Sequence, residues 1–496
     1  MLTNMQKKLS NFFYIVLGLP STAMGFALCI QISALSWILS TKYGLKIDEI
    51  GLVWASGPIA GILGQVIVGL ISDNVWFMNG RRRPFIIIGG ILCSLMLLAL
   101  PNLDVISSAL GLHGVLGVAI TVALLLDLSI NVSFNPTRSI IADVTPEGKE
   151  RTKGYTWMQT VSGLFGVGAY VIGAWLDNYV LIYVGVVLVL VLSIFPVLFI
   201  EEPRELVEDR EKLAQIQEKS SFGKIMMDIQ PLWGFLAYSV YAIAKKLIGF
   251  NGYSLSIHGI EIDYVVILCL IITFFFIFYT LAQKEAGKSK EEAGIIGFKK
   301  LLAAHSFTWI GVQTMFVYMF AYVQYKMPGL DNMKMGQIVS ISFLILNVTG
   351  ALLPVAILEP LTRKIGRART HAICIASMAV SYFAMIYLGI TPIMIYVVMA
   401  FVGIGWASTI SLPFAIMTQK VGSNKIGLYM GLFNLSVVLP QLVASLGIGQ
   451  ALSVVENKDL VFAVCAITLG ISALLWFTLK DSTEEIPATK AQSSAH

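Results

Sequence analysis

Asp127 and Arg138 are the only charged residues between Gly114 and Ala142, an apolar run long enough to cross a bilayer. A charge at the bilayer centre costs about 2.5–3.5 kcal/mol even on lenient insertion scales. Asp127, Asn131, Asn135 and Arg138 fall at i, i+4, i+8 and i+11, which at about 100° per residue forms one polar stripe on one helix face. Such a stripe needs water, a ligand or a partner helix. It therefore marks a helix lining a polar cavity or, alternatively, a polar seam that glues helices together. As a carboxylate, Asp127 accepts two solute hydroxyls; protonated, it donates one. Proton and solute would then each change the other's affinity. Arg138 lies about 16 Å further along the axis at 1.5 Å per residue, too far to pair with Asp127. It is expected nearer a gate, within reach of Asp143 or a loop acid.

The rest of the chain must supply the cavity. Of 496 residues, 57% are hydrophobic and only 13% charged, against about a quarter charged in soluble domains. An all-α polytopic membrane protein is expected. The first apolar run, Phe12 to Leu39, exceeds a signal peptide and is followed by many more. The net charge of +5 fits loop bias, and no basic domain with interleaved aromatics points to nucleic acid. The five cysteines show no CxxC or Cys/His spacing, so neither disulfides nor metal sites are expected, and no cofactor is implied. His113, His258, His305 and His371 fall at or near span ends without ligand spacing. Gly163-Leu-Phe-Gly166-Val-Gly168 resembles a nucleotide loop, but its mid-span position points to close helix packing. No GxxxxGK[ST] motif is present, so an enzyme or an ATP-driven pump is disfavoured.

Apolar runs give candidate spans near 12–39, 49–71, 84–101, 114–142, 153–176 and 179–200, then near 305–326, 335–358, 371–389, 391–417, 425–450 and 459–479. Lysines and arginines cluster at Lys7/Lys8, Arg81–Arg83, Lys149/Arg151/Lys153, Arg363–Arg369 and Lys420/Lys425. The positive-inside rule puts these loops and both termini in the cytoplasm. The expected organisation is a six-helix bundle over 1–200, a connector over 201–300, a second six-helix bundle over 301–480 and a disordered tail over 481–496. Within the connector, Pro231–Ile248 and Tyr264–Leu281 read as an inserted helical hairpin, with Lys245 and Lys246 snorkelling to the outer interface. Fourteen spans are preferred to twelve. Duplication supports two halves, because Asp73 precedes Gly80-Arg-Arg-Arg83 by the same interval as Glu359 precedes Gly366-Arg-Ala-Arg369.

Gly69-Leu-Ile-Ser-Asp73 with Gly80-Arg81-Arg82-Arg83-Pro84 resembles the loop motif of the major facilitator superfamily. Trp54-Ala-Ser-Gly57-Pro58, Gln65, GRRRPFI, Gln31-Ile-Ser33 and the fourth-helix pattern Asp127 … Asn131 … Pro136-Thr-Arg138 … Asp143 further resemble the glycoside–pentoside–hexuronide:cation symporter group, in its proton-coupled sucrose transporter branch. The resemblance covers roughly residues 25–175. It implies a major facilitator fold and proton-coupled symport of a disaccharide or other glycoside, sucrose- or maltose-like. Asp127 would be the proton- and sugar-binding acid and Arg138 an essential cation. The gate would comprise Gly69, Asp73, Gly80, Arg81, Arg82 and Asp143, with Glu359 and Arg367 as second-half counterparts. Gln31, Ser33, Asn131, Gln159, Gln313, Trp406 and Asn434 are candidate sugar contacts, joined by Trp37, Gln65, Tyr318, Tyr322 and Asn347; taken singly, such residues more often serve as interhelical glue or interface aromatics. The expected partners are sugar, protons and lipid, with a monomer in the plasma membrane, or the inner membrane of a bacterium, as the functional unit. Alternatives are a proton-coupled exporter of another small organic solute and a non-transporting sugar sensor.

Overall fold

A computed structural model describes residues 9–62, 64, 76–78, 80–146, 149–202, 222–249, 254–257, 260–421 and 426–480. The expected residues Gln65, Gly69 and Asp73, and the tail, lie outside them. Helices α1 Asn11–Thr41, α2 Ile47–Trp54, α3 Arg83–Ala109, α4 Leu116–Val144, α5 Lys149–Trp175 and α6 Asn178–Leu198 form the first bundle. Helices α10 Lys290–Lys326, α11 Asn332–Leu353, α12 Arg367–Leu388, α13 Pro392–Lys420, α14 Ile426–Leu442 and α15 Leu460–Phe477 form the second. A turn of wider π-helix, Val443–Ile448, carries α14 on to Gly449–Val454. Between the bundles come α7 Phe222–Asp228, α8 Trp233–Ile248 and α9 Tyr264–Ala282.

Helix ends are set by polar caps flanking apolar runs. Ser10 accepts from the Phe13 N–H, Asp177 from Val180, Asp331 from Lys334 and Thr391 from Met394, satisfying amide donors that a helix start leaves free. Ser289 and Glu292 form a reciprocal capping box on α10. In the second bundle α12 lies between α13 and α15. Its His371 ring stands edge-on to the fully buried Trp476 at 4.4 Å, with His305 at 6.3 Å from the same indole. These two histidines, expected at span ends, thus lie inside the bundle.

Among the described residues, ten helices are long and apolar enough to cross a membrane, fewer than the fourteen expected. Helices α5 and α10 are long but more polar, α8 has 16 residues, and the second expected span runs into undescribed positions. Helices α8 and α9 pack against each other and lean on the second bundle through Phe235 and Phe274 against Phe307. Their connection adds one short ribbon to the otherwise all-helical fold. Ser254–Ile257 and Ile260–Asp263 form an antiparallel ribbon, Ser254 opposite Asp263. The segments SLSI and IEID alternate polar and apolar residues with a period of two, which suits a strand and not a helix. Asp263 closes the ribbon. Its carboxylate caps Val265 and accepts from Lys245 at 2.8 Å and from Tyr241. Burial would raise the Asp263 carboxyl, but the bonds from Lys245, Tyr241 and the Val265 N–H outweigh it and hold it below the ordinary carboxylate range.

Candidate functional site

The first helix does not run evenly past the site. At Gln31–Leu35 it widens into a π-helical turn, an insertion that re-aims side chains and recurs at functional positions. The turn directs Gln31 at Asp127, and its Nε2 donates to Oδ1 at 3.1 Å and Oδ2 at 3.0 Å. The Ser56 hydroxyl donates to Oδ2 at 3.2 Å. Gly57 leaves room for the carboxylate, since a Cβ there would stand 3.3 Å from Oδ2. Asp127 is 5% exposed, and among the described residues its side chain is bonded by neutral donors alone.

Along the polar stripe, accessibility rises toward the arginine-rich end of the molecule. Asp127 is buried, Asn131 and Asn135 are half-buried, and Arg138 is exposed. The Asn131 amide donates to the Asp127 carbonyl at 2.8 Å. Arg138 stacks over the Phe134 ring at 4.8 Å, and its carbonyl accepts from the Tyr155 hydroxyl. The expected contact of Arg138 with Asp143 is not the one formed, because Arg82 reaches Asp143 first, Nε to Oδ2 at 3.1 Å. Gln159 is exposed on α5. The nearby glycines do not all serve tight packing as expected: Gly166 abuts the Cys29 sulfur, whereas Gly163 and Gly168 face open space.

At the arginine-rich end, sequence reasoning missed Glu202. Its carboxylate accepts from the backbone N–H groups of Arg81, Arg82 and Arg83 at 2.8, 2.9 and 2.8 Å. It thus covers the N-terminus of α3, where unpaired amides and the helix dipole favour an anion. Gly80 leaves room for this cap, because a Cβ would come within 2.7 Å of Glu202 Oε1 and displace its carboxylate. In the second-half counterpart, Glu359 bonds Arg363 one turn on, and Arg367 is exposed at the start of α12.

In the second bundle, Gln313 accepts from Gln441 at 3.1 Å and donates to Ser445 at 3.5 Å. Trp406 is half-buried among Trp309 and Phe316, 6.5 and 5.5 Å between ring centres. Asn434 is half-buried on α14, and the Asn347 amide returns to the Phe343 carbonyl. Tyr318 and Tyr322 are fully buried and donate to backbone carbonyls, Ser445 at 2.9 Å and Met385 at 2.7 Å. They serve as struts within the bundle. Ser33 is bonded across to the second bundle, to Ser340 at 2.7 Å. Ser56 carried a signal in the Trp54-Ala-Ser-Gly57 match; Glu202 carried none, being one of many charges in the connector.

Known proteins bear on this geometry. The family described as Major Facilitator Superfamily matches residues 17–445. The chain is similar to the general alpha-glucoside permease of Schizosaccharomyces pombe, 28% identical over 174 residues, 32% of this chain and 31% of that protein. It is also similar to Sucrose transport protein SUC4 of Arabidopsis thaliana, 29% identical over 147 residues, 28% of this chain and 29% of that one. Sucrose transport protein SUT1 of Oryza sativa subsp. japonica is 32% identical over 143 residues, 26% of each chain. The alignments thus span less than a third of these relatives' length. Among solved structures, an auto-inhibited POT family peptide transporter superposes with a TM-score of 0.66 at 12% identity, over 96% of this chain and 99% of that one. The nucleoside transporter NupG gives 0.58 at 12%, over 95% and 98%. At such identity these likenesses concern the fold.

Proposed function

From the premise that this chain belongs to the Major Facilitator Superfamily, we propose that it is a secondary active transporter coupling entry of a sucrose- or maltose-like glycoside to a proton. The observation that carries the reading is Asp127, buried and held by Gln31 and Ser56, which are neutral donors. A carboxyl with such partners can take up and release a proton without stranding a countercharge, and its oxygens can exchange the Gln31 and Ser56 bonds for sugar hydroxyls. The sugar and α-glucoside relatives support this substrate class. One proton moving through about 100 mV gains roughly 2.3 kcal/mol, and one pH unit adds about 1.4 kcal/mol. Together these sustain a sugar gradient of a few hundredfold.

In this reading the graded stripe from Arg138 to Asp127 is the path to the arginine-rich side, taken as cytoplasmic with both termini. Gln31, Asn131, Gln159, Gln313, Trp406 and Asn434 are offered as sugar contacts. The Arg82–Asp143 pair and the Glu202 cap are contacts broken and remade as that end closes and opens, with Arg138 a cation at the same mouth. Proton-driven export of an amphipathic solute is a second reading, favoured by the aromatic wall of Trp309, Phe316 and Trp406. Uptake of labelled sucrose and maltose into vesicles, with and without a protonophore, separates the two. Accumulation that collapses with protonophore is expected; absence of any uptake sinks the sugar assignment.

A further inference from the structure

At the end opposite the arginine loops, four side-chain hydrogen bonds join the two bundles. Ser33 meets Ser340 at 2.7 Å, Ser340 donates to Asn178 Oδ1 at 3.3 Å, Ser36 donates to the Val317 carbonyl at 2.7 Å and Trp37 to the Asn332 carbonyl at 2.8 Å. Ser33 Oγ is likewise 3.3 Å from Asn178 Oδ1, so with one proton on each hydroxyl the Ser33–Ser340 bond and one bond to Asn178 form at a time. Each bundle contributes a glycine that lets this contact close. A Cβ on Gly173 would stand 2.7 Å from the Ser340 hydroxyl, and one on Gly336 would stand 2.8 Å from Asn178 Nδ2 and 2.9 Å from Trp37 Nε1. The trio is buried, yet Asn178 Nδ2 has no partner among the described residues. Hydroxyl bonds between helices are individually weak, so this seam can part repeatedly.

Directly before it lies a cavity of about 270 Å³ lined by both bundles: Trp37, Thr41, Lys42, Asp177 and Tyr179 on one side, Asn332 and Met333 on the other. Its partly exposed ring, Tyr179, stands edge-on to the buried Trp37 at 5.1 Å and adjoins a hydroxyl, an amide, an ammonium and a carboxylate. That is the mixture that holds a sugar ring, by stacking on its C–H face and bonding its hydroxyls. The volume falls just under the roughly 300–1,000 Å³ of drug-sized sites, so it suits one ring and not two.

Resting on the glycoside reading above, we propose that this cavity is a single-hexose vestibule and that Ser33, Asn178 and Ser340 form the gate behind it. When the bundles part, the two hydroxyls and the spare amide N–H exchange their bonds with each other for bonds to the arriving sugar. The solute thereby replaces the contacts that its passage breaks.

The full chain carrying Ser33→Cys and Ser340→Cys, reconstituted in liposomes and oxidised with copper–phenanthroline, tests the gate. The two positions should link, as read by mass spectrometry of the joined peptides. Sucrose and maltose exchange should fall at least tenfold and return with dithiothreitol. Failure to link, or linked protein exchanging at the unlinked rate, overturns the gate. Ser340→Cys alone should be labelled by an impermeant maleimide within minutes, whatever the solute. No labelling over hours also overturns the gate, whereas labelling without any sugar exchange refutes only the glycoside reading. For the vestibule, Tyr179→Ala should raise the half-saturating sucrose concentration about tenfold with the maximal rate kept; unchanged half-saturation overturns it.

Discussion

Gly51→Ala should force open the end of the protein that this structure holds shut. Gly51 lies on α2 of the first bundle, against the second. A Cβ built there falls 2.2 Å from the Ser445 carbonyl oxygen and 2.5 Å from the Tyr318 hydroxyl. Neither can give way easily, because one is backbone and the other is bonded to the Ser445 and Ala444 carbonyls. Overpacking of this kind costs about 1–3 kcal/mol. Here the clash lies between two bodies that the transport cycle separates, so parting them relieves it without unfolding either. At 1.4 kcal/mol per factor of ten, about 2–3 kcal/mol moves the closed-to-open ratio roughly 30- to 150-fold. The assay is the maleimide labelling rate of Ser340→Cys, with and without Gly51→Ala, in protein whose melting temperature shows it folded. A rise of at least tenfold is expected. An unchanged rate in folded protein would refute the claim that this seam opens.

Two further outcomes follow from the loops. Glu202→Ala strips three amide N–H groups of their acceptor and should destabilise the detergent-purified protein by about 1–3 kcal/mol, visible as a lower melting temperature, with Glu202→Gln less harmful; equal melting of all three would show the cap to be idle. At Asp263 the folded carboxyl titrates below its unfolded value, so its contribution is present above the unfolded value and disappears as pH falls through the folded one. Wild type should therefore exceed Asp263→Asn in stability by about 1 kcal/mol at pH 7, and the gap should narrow as pH falls below the ordinary carboxylate range; a gap independent of pH would contradict the assignment.

Much of the fold was legible because lipid and helix geometry leave a strong periodic mark: apolar runs of membrane length, caps at their ends, and arginines on alternate loops. The ribbon at Ser254–Asp263 was not, since four-residue strands inside a connector carry too little alternation to outweigh the helical runs around them. The acid of the candidate site was readable as a misplaced charge, and Gln31 as a polar residue in an apolar run. Ser33 was readable by the same rule, but its bond to Ser340 was not. Sequence shows that a polar side chain must find a partner; it does not show whether the partner is a sugar or Ser340. Glu202 was hidden for the opposite reason, being an acid where acids are common, distinguished only by three backbone amides that sequence does not display. Tyr318 and Tyr322 have the chemistry of sugar contacts, but their hydroxyls are spent on carbonyls of their own bundle.

The central claim is that Asp127 carries the coupling proton, and its most direct test is sugar distribution at steady state across liposomes bearing a proton gradient. Asp127→Asn keeps the shape and an acceptor for Gln31 but holds no exchangeable acid. Wild type should accumulate sucrose or maltose well above the outside concentration, up to a few hundredfold, while Asp127→Asn should reach equal concentrations and still exchange labelled for unlabelled sugar. Accumulation by Asp127→Asn equal to that of wild type would contradict the account.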